Sequence, residues 1–202
     1  NVILGDTYKV LYGNDYIIEK CLGNKVKLHF KSFFQVNPIQ MEVLYNQAIK
    51  AANLSGNETC IDMYAGTGTI GMAVSKHAKS VIGVEIVKEA VDNANDNTKM
   101  NHLDNCHYVC QDATDFAHER KSDKIDVVFI DPPRKGMAEN GIQDTVTMQP
   151  EKIIYVSCNP KTLSRDLKIF KNYGYQCEYV QPVDMFCQTT GLECVAKLSK
   201  IV

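Results

Sequence analysis

Thr59-Cys60-Ile61-Asp62-Met63-Tyr64-Ala65-Gly66-Thr67-Gly68-Thr69-Ile70-Gly71 runs from an apolar stretch through a glycine loop into a helical pattern. Residues 59–63 read as a strand and 69–76 as a helix. Between them Gly66, Gly68 and Gly71 match GxGxxG, a spacing that lets the backbone approach a ligand and opens a helix. A tight turn with no ligand is the alternative, and the strand before and helix after weigh against it.

Working outward, strand and helix patterns alternate. Strands are expected at 80–85, 107–110, 125–130 and 153–157, and helices at 87–101 and 161–170. Strands at 175–183 and 192–198 close the chain with no helix between them. Nearly continuous apolar strands alternating with helices predict a doubly wound, mostly parallel α/β sheet. The closing pair predicts an antiparallel edge, giving seven strands. Upstream, Asn37-Pro38 reads as a helix cap and first turn. Met41, Leu44, Tyr45, Ala48, Ile49 and Ala52 follow at helical spacing. Residues 7–31 read as short β-strands, with Tyr8, Val10 and Tyr12 alternating and turns at 13–15 and 23–24. The expected division is a short β segment over 1–36, a remnant of or link to an upstream domain, and a catalytic domain over 37–202.

The carboxylates around the loop narrow the ligand. Glu85, at the end of the next strand, suits ribose hydroxyls of either a nicotinamide dinucleotide or S-adenosylmethionine. Asp62 would repel a pyrophosphate and suits the amino acid end of S-adenosylmethionine. Asp112 follows the third strand, where it is either a helix cap or a partner for an adenine amino group.

Two further strand ends carry chemistry. Residues 125–130 run into Asp131-Pro132-Pro133-Arg134-Lys135-Gly136. The prolines stiffen this loop, and Asp131 is expected beside the methyl-bearing end of the cofactor. Strand 153–157 runs into Cys158-Asn159-Pro160 and a helix. Cys158 therefore sits where a helix's partial positive charge favours thiolate. Glu193 opens the last strand, either as an exposed strand-end carboxylate or as a half-buried base with a raised pKa.

Five segments together resemble the RNA uridine-C5-methyltransferase family: Phe33-Phe34-Gln35-Val36-Asn37, residues 62–68, residues 131–136, Ser157-Cys158-Asn159-Pro160 and Leu192-Glu193-Cys194-Val195. The resemblance covers about Ser32 to Val195. It implies a Rossmann-like methyltransferase fold with Gln35, Tyr64, Glu85 and Asp131 holding S-adenosyl-L-methionine and Asp112 beside them; Gly66 joins this set from the glycine-loop reading. It implies Cys158 as nucleophile and Glu193 as base in 5-methyluridine formation through a covalent cysteine–uracil adduct. Position alone suggests Arg134 as a contact to uracil or phosphate. The implied substrate is RNA, 23S ribosomal RNA foremost and tRNA next. The chain departs from the family pattern at Gly191, where a histidine is usual, and at Cys187, where a proline is usual.

Composition sets the frame. The 202 residues carry a formal net charge of −2 and no apolar run long enough to span a bilayer. Residues 1–6 show no secretory signal. Eight scattered cysteines with no CxxC pair point to a reducing cytoplasm, to mostly core cysteines and to no metal. Basic clusters at Lys20, Lys25, Lys27 and Lys31, at Arg134-Lys135, and at Lys161, Arg165, Lys168 and Lys171 read first as solvated faces. Three other functions share parts of the pattern: an RNA cytosine-5 methyltransferase, a nicotinamide-dependent oxidoreductase and a non-catalytic RNA-binding module.

Overall fold

The computed structural model describes residues 7–30 and 32–201. A hairpin comes first, β1 (Tyr16–Cys21) and β2 (Asn24–His29), then helix α1 (Pro38–Ala52). There follow β3 (Thr59–Met63), α2 (Thr69–Ser75), β4 (Ser80–Glu85), α3 (Lys88–Met100), β5 (Cys106–Cys110) and α4 (Ala113–Glu119). The chain continues through β6 (Val127–Ile130), α5 (Glu139–Thr147), β7 (Lys152–Ser157) and α6 (Pro160–Asn172). It ends in β8 (Tyr175–Val183) and β9 (Glu193–Lys200).

Seven strands form one sheet in the order β5-β4-β3-β6-β7-β9-β8. β5 to β7 are parallel, and β9 pairs antiparallel with both β7 and β8. The mostly parallel sheet with its antiparallel edge is thus as the sequence predicts. Alternate strand residues feed two cores. Cys60, Val127, Phe129, Ile154 and Val156 face α1, α2 and α3, and Ile61, Val128, Ile130, Ile153 and Tyr155 face α4, α5 and α6. Burial on both faces is why these strands read as continuous apolar runs. From β3 the chain winds outward to β5, then returns to place β6 on β3's other side. The crevice between the carboxyl ends of β3 and β6 is the topological switch point, where such sheets take ligands.

Two features differ from the sequence reading. Residues 8–12 form no strand. Leu11 and Tyr12 are exposed, and the first strand begins only at Tyr16. Alternation there lacks a partner, and a strand needs one. Lys31 lies outside the described residues. Helices α4 and α5 also go beyond the predicted elements.

The hairpin is tied to the body. Lys25 and Lys27 donate their backbone N–H to Asn101 Oδ1 and Asn97 Oδ1 at 2.8 and 2.7 Å, and both asparagine amides donate back to the same residues' carbonyls. Asn97 of α3 and its C-cap Asn101, one turn apart, thereby occupy the backbone groups of β2 that a further strand would use.

Candidate active site

Register alone assembles a rim. Met63 pairs with Val84 and with Ile130, so Tyr64, Glu85 and Asp131 follow side by side. Glu85 pairs with Cys110, which leads to Asp112. Ser157 pairs with Cys194 in the antiparallel β7–β9 ladder. Cys158, one step past β7, therefore stands opposite Glu193, the first residue of β9. Six of the residues singled out in the sequence share this edge of the sheet.

On its left the rim is built by the glycine loop. Tyr64 and Gly66 both turn through positive φ, 63° and 53°. A side chain on Gly66 would meet open space, so this glycine leaves the loop's outer face bare. Gly68 and Gly71 are different. A Cβ on either would collide with the Tyr108 hydroxyl end, and one on Gly83 would collide with the Tyr108 ring. Tyr108 is fully enclosed and donates its hydroxyl to Gly68 O at 2.7 Å. Two of the three motif glycines thus make room for a β5 side chain beneath the loop. Glu85 accepts from Gly66 N–H at 3.1 Å and from Ile86 and Val87 N–H at 2.9 and 3.0 Å, which fixes its carboxylate at the loop.

Three carboxylates crowd the switch point. Asp62 is buried and accepts from Gly71 N–H at 2.8 Å, capping α2, whose own N-cap Gly68 offers no side chain. Burial pushes its pKa up to about 7, against that hydrogen bond and with a further push from Glu85. Asp131 keeps some surface but is ringed by protein. Burial, then Glu193, then Asp62 push it up to about 8. Glu193 is 6 % exposed, which decides the sequence alternatives in favour of burial, and burial raises its pKa too. No ion pair among the described residues involves any of the three. Uncompensated carboxylates of this kind are what a cationic ligand needs.

Cys158 is half-buried in a turn that Ser157 shapes: Ser157 Oγ accepts from Asn159 N–H and donates to Asn159 O, both at 3.2 Å. Asn159 caps α6 through Lys161 N–H. Around Cys158 the protein works against the thiolate that the helix end is expected to favour. Burial first, then Glu193 and Asp131, raise the thiol's pKa, and the opposing pull of Arg134 is smaller. Gly191 lies on the connection into β9, where a Cβ would press on the Phe186 ring at 2.8 Å, so Phe186 occupies the room a side chain at 191 needs. Glu193 receives no side-chain hydrogen bond from the described residues there.

Arg134 is exposed beside Cys158, and its carbonyl accepts from Asn159 Nδ2 at 3.2 Å. Arg165 corrects the reading of α6 as one solvated basic face: it turns back onto the loop after β6. Asp112 is the cap of α4, accepting from Thr114 N–H at 2.8 Å. Gln35 is buried in the wall of a separate cavity of about 950 Å³ beside Tyr8, Tyr16, Phe30 and Phe34, which none of the rim residues lines. Sequence reasoning missed Tyr108 and Asp166. Both act through bonds to distant backbone, which leaves no local pattern to find. All eight cysteines are free, and four of them, Cys21, Cys60, Cys106 and Cys194, are buried, fewer than the core role predicted. Among the described residues no helix is long and apolar enough to cross a membrane, and no cluster of three or more His, Cys, Asp or Glu is placed to hold a metal.

The tRNA (uracil-5-)-methyltransferase family model matches residues 3–201. Relatives include an RNA methyltransferase of Streptococcus mutans, 43% identical over 99% of this chain and 45% of its own length. Another, from Listeria innocua, is 45% identical over 98% of this chain and 44% of its own. The chain spans under half the length of these relatives. Among solved structures it resembles the Pyrococcus abyssi tRNA (uracil-54, C5)-methyltransferase in complex with S-adenosyl-L-homocysteine. The TM-score is 0.75 and the identity 30%, covering 93% of this chain and 45% of that one.

Proposed function

Because the chain belongs to the tRNA (uracil-5-)-methyltransferase family, we propose that it methylates carbon 5 of a uridine in RNA, with Cys158 as nucleophile and Glu193 as proton acceptor. The observation that carries this reading is the β7–β9 register, which sets a cysteine and a buried glutamate face to face beside Asp131.

S-adenosylmethionine, when bound, supplies an electrophilic methyl group on a cationic sulfur. The residues present suit it. The unpaired carboxylates of Asp62 and Asp131 match its positive charges, Glu85 its ribose hydroxyls, and Gly66 and Tyr64 shape the loop against it. Gln35, although it lines a cavity apart from the rim residues, is assigned to the same cofactor through the family resemblance alone, and Asp112, although a cap, to the adenine end.

Cys158, once its thiol proton has passed to solvent, adds through Sγ to carbon 6 of the uracil while the C5=C6 π electrons shift towards carbon 5, which gives that carbon the carbanion character needed to take up the methyl group. Glu193 then accepts the carbon 5 proton. The electrons of that C–H bond restore the ring double bond as the Sγ–C6 bond breaks, which frees the enzyme. A raised carboxylate pKa suits the acceptor role, since a weak acid holds a proton better. Arg134, exposed beside Cys158, contacts the uracil or a neighbouring phosphate, and the base leaves its stack to reach the rim. Free cysteines throughout fit the cytoplasm.

Incubation of the full-length protein with labelled S-adenosylmethionine and RNA, then nucleoside analysis, tests the reading. The expected product is 5-methyluridine, and running 23S ribosomal RNA and tRNA separately identifies the substrate. Labelled 5-methylcytidine would replace this reading with the cytosine one.

A further inference from the structure

We propose that Arg165 and Asp166 are positioning residues that clamp the loop 131–137 against α6, setting Asp131 and Arg134 relative to Cys158. The proposal rests on the functional reading above and adds to it two residues that do no chemistry themselves.

The clamp has two layers. Asp166 is fully buried on α6, and its Oδ2 accepts from Met137 N–H at 2.8 Å and from Tyr155 Oη at 2.7 Å. Burial first, then the Asp166 carboxylate, keep the Tyr155 hydroxyl protonated and so a donor. Its Oδ1 accepts from Arg165 Nε at 2.8 Å and lies 2.7 Å from Nη2. Arg165 Nη2 also donates to Lys135 O at 3.1 Å and Met137 O at 2.8 Å. A guanidinium aimed by a buried carboxylate thus holds two carbonyls of the loop, while that carboxylate holds one of its N–H groups. Asn159 Nδ2 and Thr162 Oγ1 donate to Arg134 O, tying the same loop to the turn that carries Cys158.

The loop is shaped for this contact. Gly136 turns at φ 72°, and a Cβ there would stand 2.5 Å from Asp166 Oδ2 and 2.8 Å from Arg165 Nη2. Only a glycine lets the loop lie this close. The clamp joins the ends of β6 and β7, whose residues Asp131 and Cys158 must bring the methyl end of the cofactor and one uracil together. A planar fork with several fixed donors suits that task, and a lysine's single ammonium does not. A helix that only needed solubility would leave an arginine at this position free.

The test compares the full-length wild type with Arg165→Ala, Arg165→Lys, Asp166→Asn and Gly136→Ala. Three readouts are taken: amide hydrogen exchange over residues 131–137, steady-state kinetics with RNA, and the pH profile of Cys158 alkylation resolved by mass spectrometry. In Arg165→Ala, exchange at Met137 should rise about tenfold or more, and kcat should fall about 10- to 100-fold with KM for RNA little changed, because small misplacements of a reacting group are costly. Arg165→Lys should restore neither. Gly136→Ala should reproduce the pattern from the loop side. The Cys158 profile should shift in all of them, since Asp131 and Arg134 both act on that thiol.

A purely structural role predicts instead that kcat tracks the folded fraction and that Arg165→Lys rescues both. That result, or unchanged exchange at Met137 in Arg165→Ala, would overturn the clamp. Absence of 5-methyluridine from the wild-type reaction would overturn the functional reading instead. The exchange and alkylation measurements need no RNA and would still decide the clamp.

Discussion

After β3 the chain turns on Tyr64, Gly66 and Gly68 with the Tyr108 ring packed beneath it. After β6 it turns on two prolines and Gly136, with Arg165 and Asp166 behind it. The first loop rests on fit, glycine hydrogens against an aromatic ring, with Glu85 and Asp62 accepting from its N–H groups. The second is held by charge and hydrogen bonds. On the proposed function, the difference follows what each side does. A cofactor loop needs a bare backbone and a rigid floor. A loop addressing a reactive base needs its carbonyls and carboxylate fixed in orientation, which packing alone does not fix.

If the two sides divide binding from chemistry, variants should separate them. Cys158→Ala should abolish methylation and any covalent RNA adduct while S-adenosylmethionine binding, followed by calorimetry, stays near wild type. Glu85→Ala should weaken that binding. Glu193→Gln should allow addition and methyl uptake but stall proton removal, so a methylated RNA adduct accumulates as a slow band on a denaturing gel. Wild-type turnover by Glu193→Gln would make Glu193 a structural carboxylate, and loss of cofactor binding in Cys158→Ala would break the division itself.

The carboxylates where the sides meet predict a pH effect on stability. Asp62 at about 7 and Asp131 at about 8 both lie above the value of about 4 expected unfolded. The folded state therefore binds more protons than the unfolded one between those limits. Stability from this source is greatest near pH 4 and falls as pH rises through 7 and 8. Asp131→Asn should raise the ligand-free melting temperature at pH 8 by several degrees, with the gain shrinking toward pH 4. A gain independent of pH would mean that its carboxylate is not held protonated. The same change should weaken S-adenosylmethionine binding, a trade of function against stability.

The contrast between the loops also explains what the sequence made legible. Strands β3, β4 and β8 and the Asn37 cap were readable to the residue because apolar runs and caps are local patterns. Helix α5 was not. It is nine residues long with an internal glycine, and it buries Asp144 and Thr145 beside Ile142, so no apolar stripe marks it. In α4 only Phe116 and Ala117 are buried. Rim residues were legible because each lies at or just beyond a strand end. Their supports were not. Tyr108 meets glycines 25 to 40 positions away, and Asp166 serves a backbone N–H 29 positions away.

Packing on the first side should make it intolerant of added volume. A Cβ at Gly83 would collide with the edge of the Tyr108 ring, so Gly83→Ala forces ring or strand to move. Overpacking of this kind costs about 1–3 kcal/mol, measurable by denaturant unfolding. The loss should shrink in a Gly83→Ala, Tyr108→Leu double variant, because the smaller side chain vacates the space. Equal losses in both would mean that Gly83 is needed for its backbone, not for the ring.

Tyr108→Phe gives the smallest effect and the sharpest test of the division. It keeps the ring under Gly68, Gly71 and Gly83 and removes only the hydroxyl, which donates to Gly68 O and accepts weakly from Cys106 Sγ at 3.4 Å. That carbonyl is not orphaned, since Met72 N–H also donates to it at 3.0 Å. The expected cost is therefore that of one ordinary hydrogen bond, about 1 kcal/mol, with S-adenosylmethionine affinity changed by less than about threefold. If fit holds this loop, the ring is what matters and the phenylalanine suffices. A loss of several kcal/mol, or a collapse of cofactor binding, would show that the glycine loop hangs on this hydroxyl rather than on the ring, and the two sides of the switch point would then be built alike.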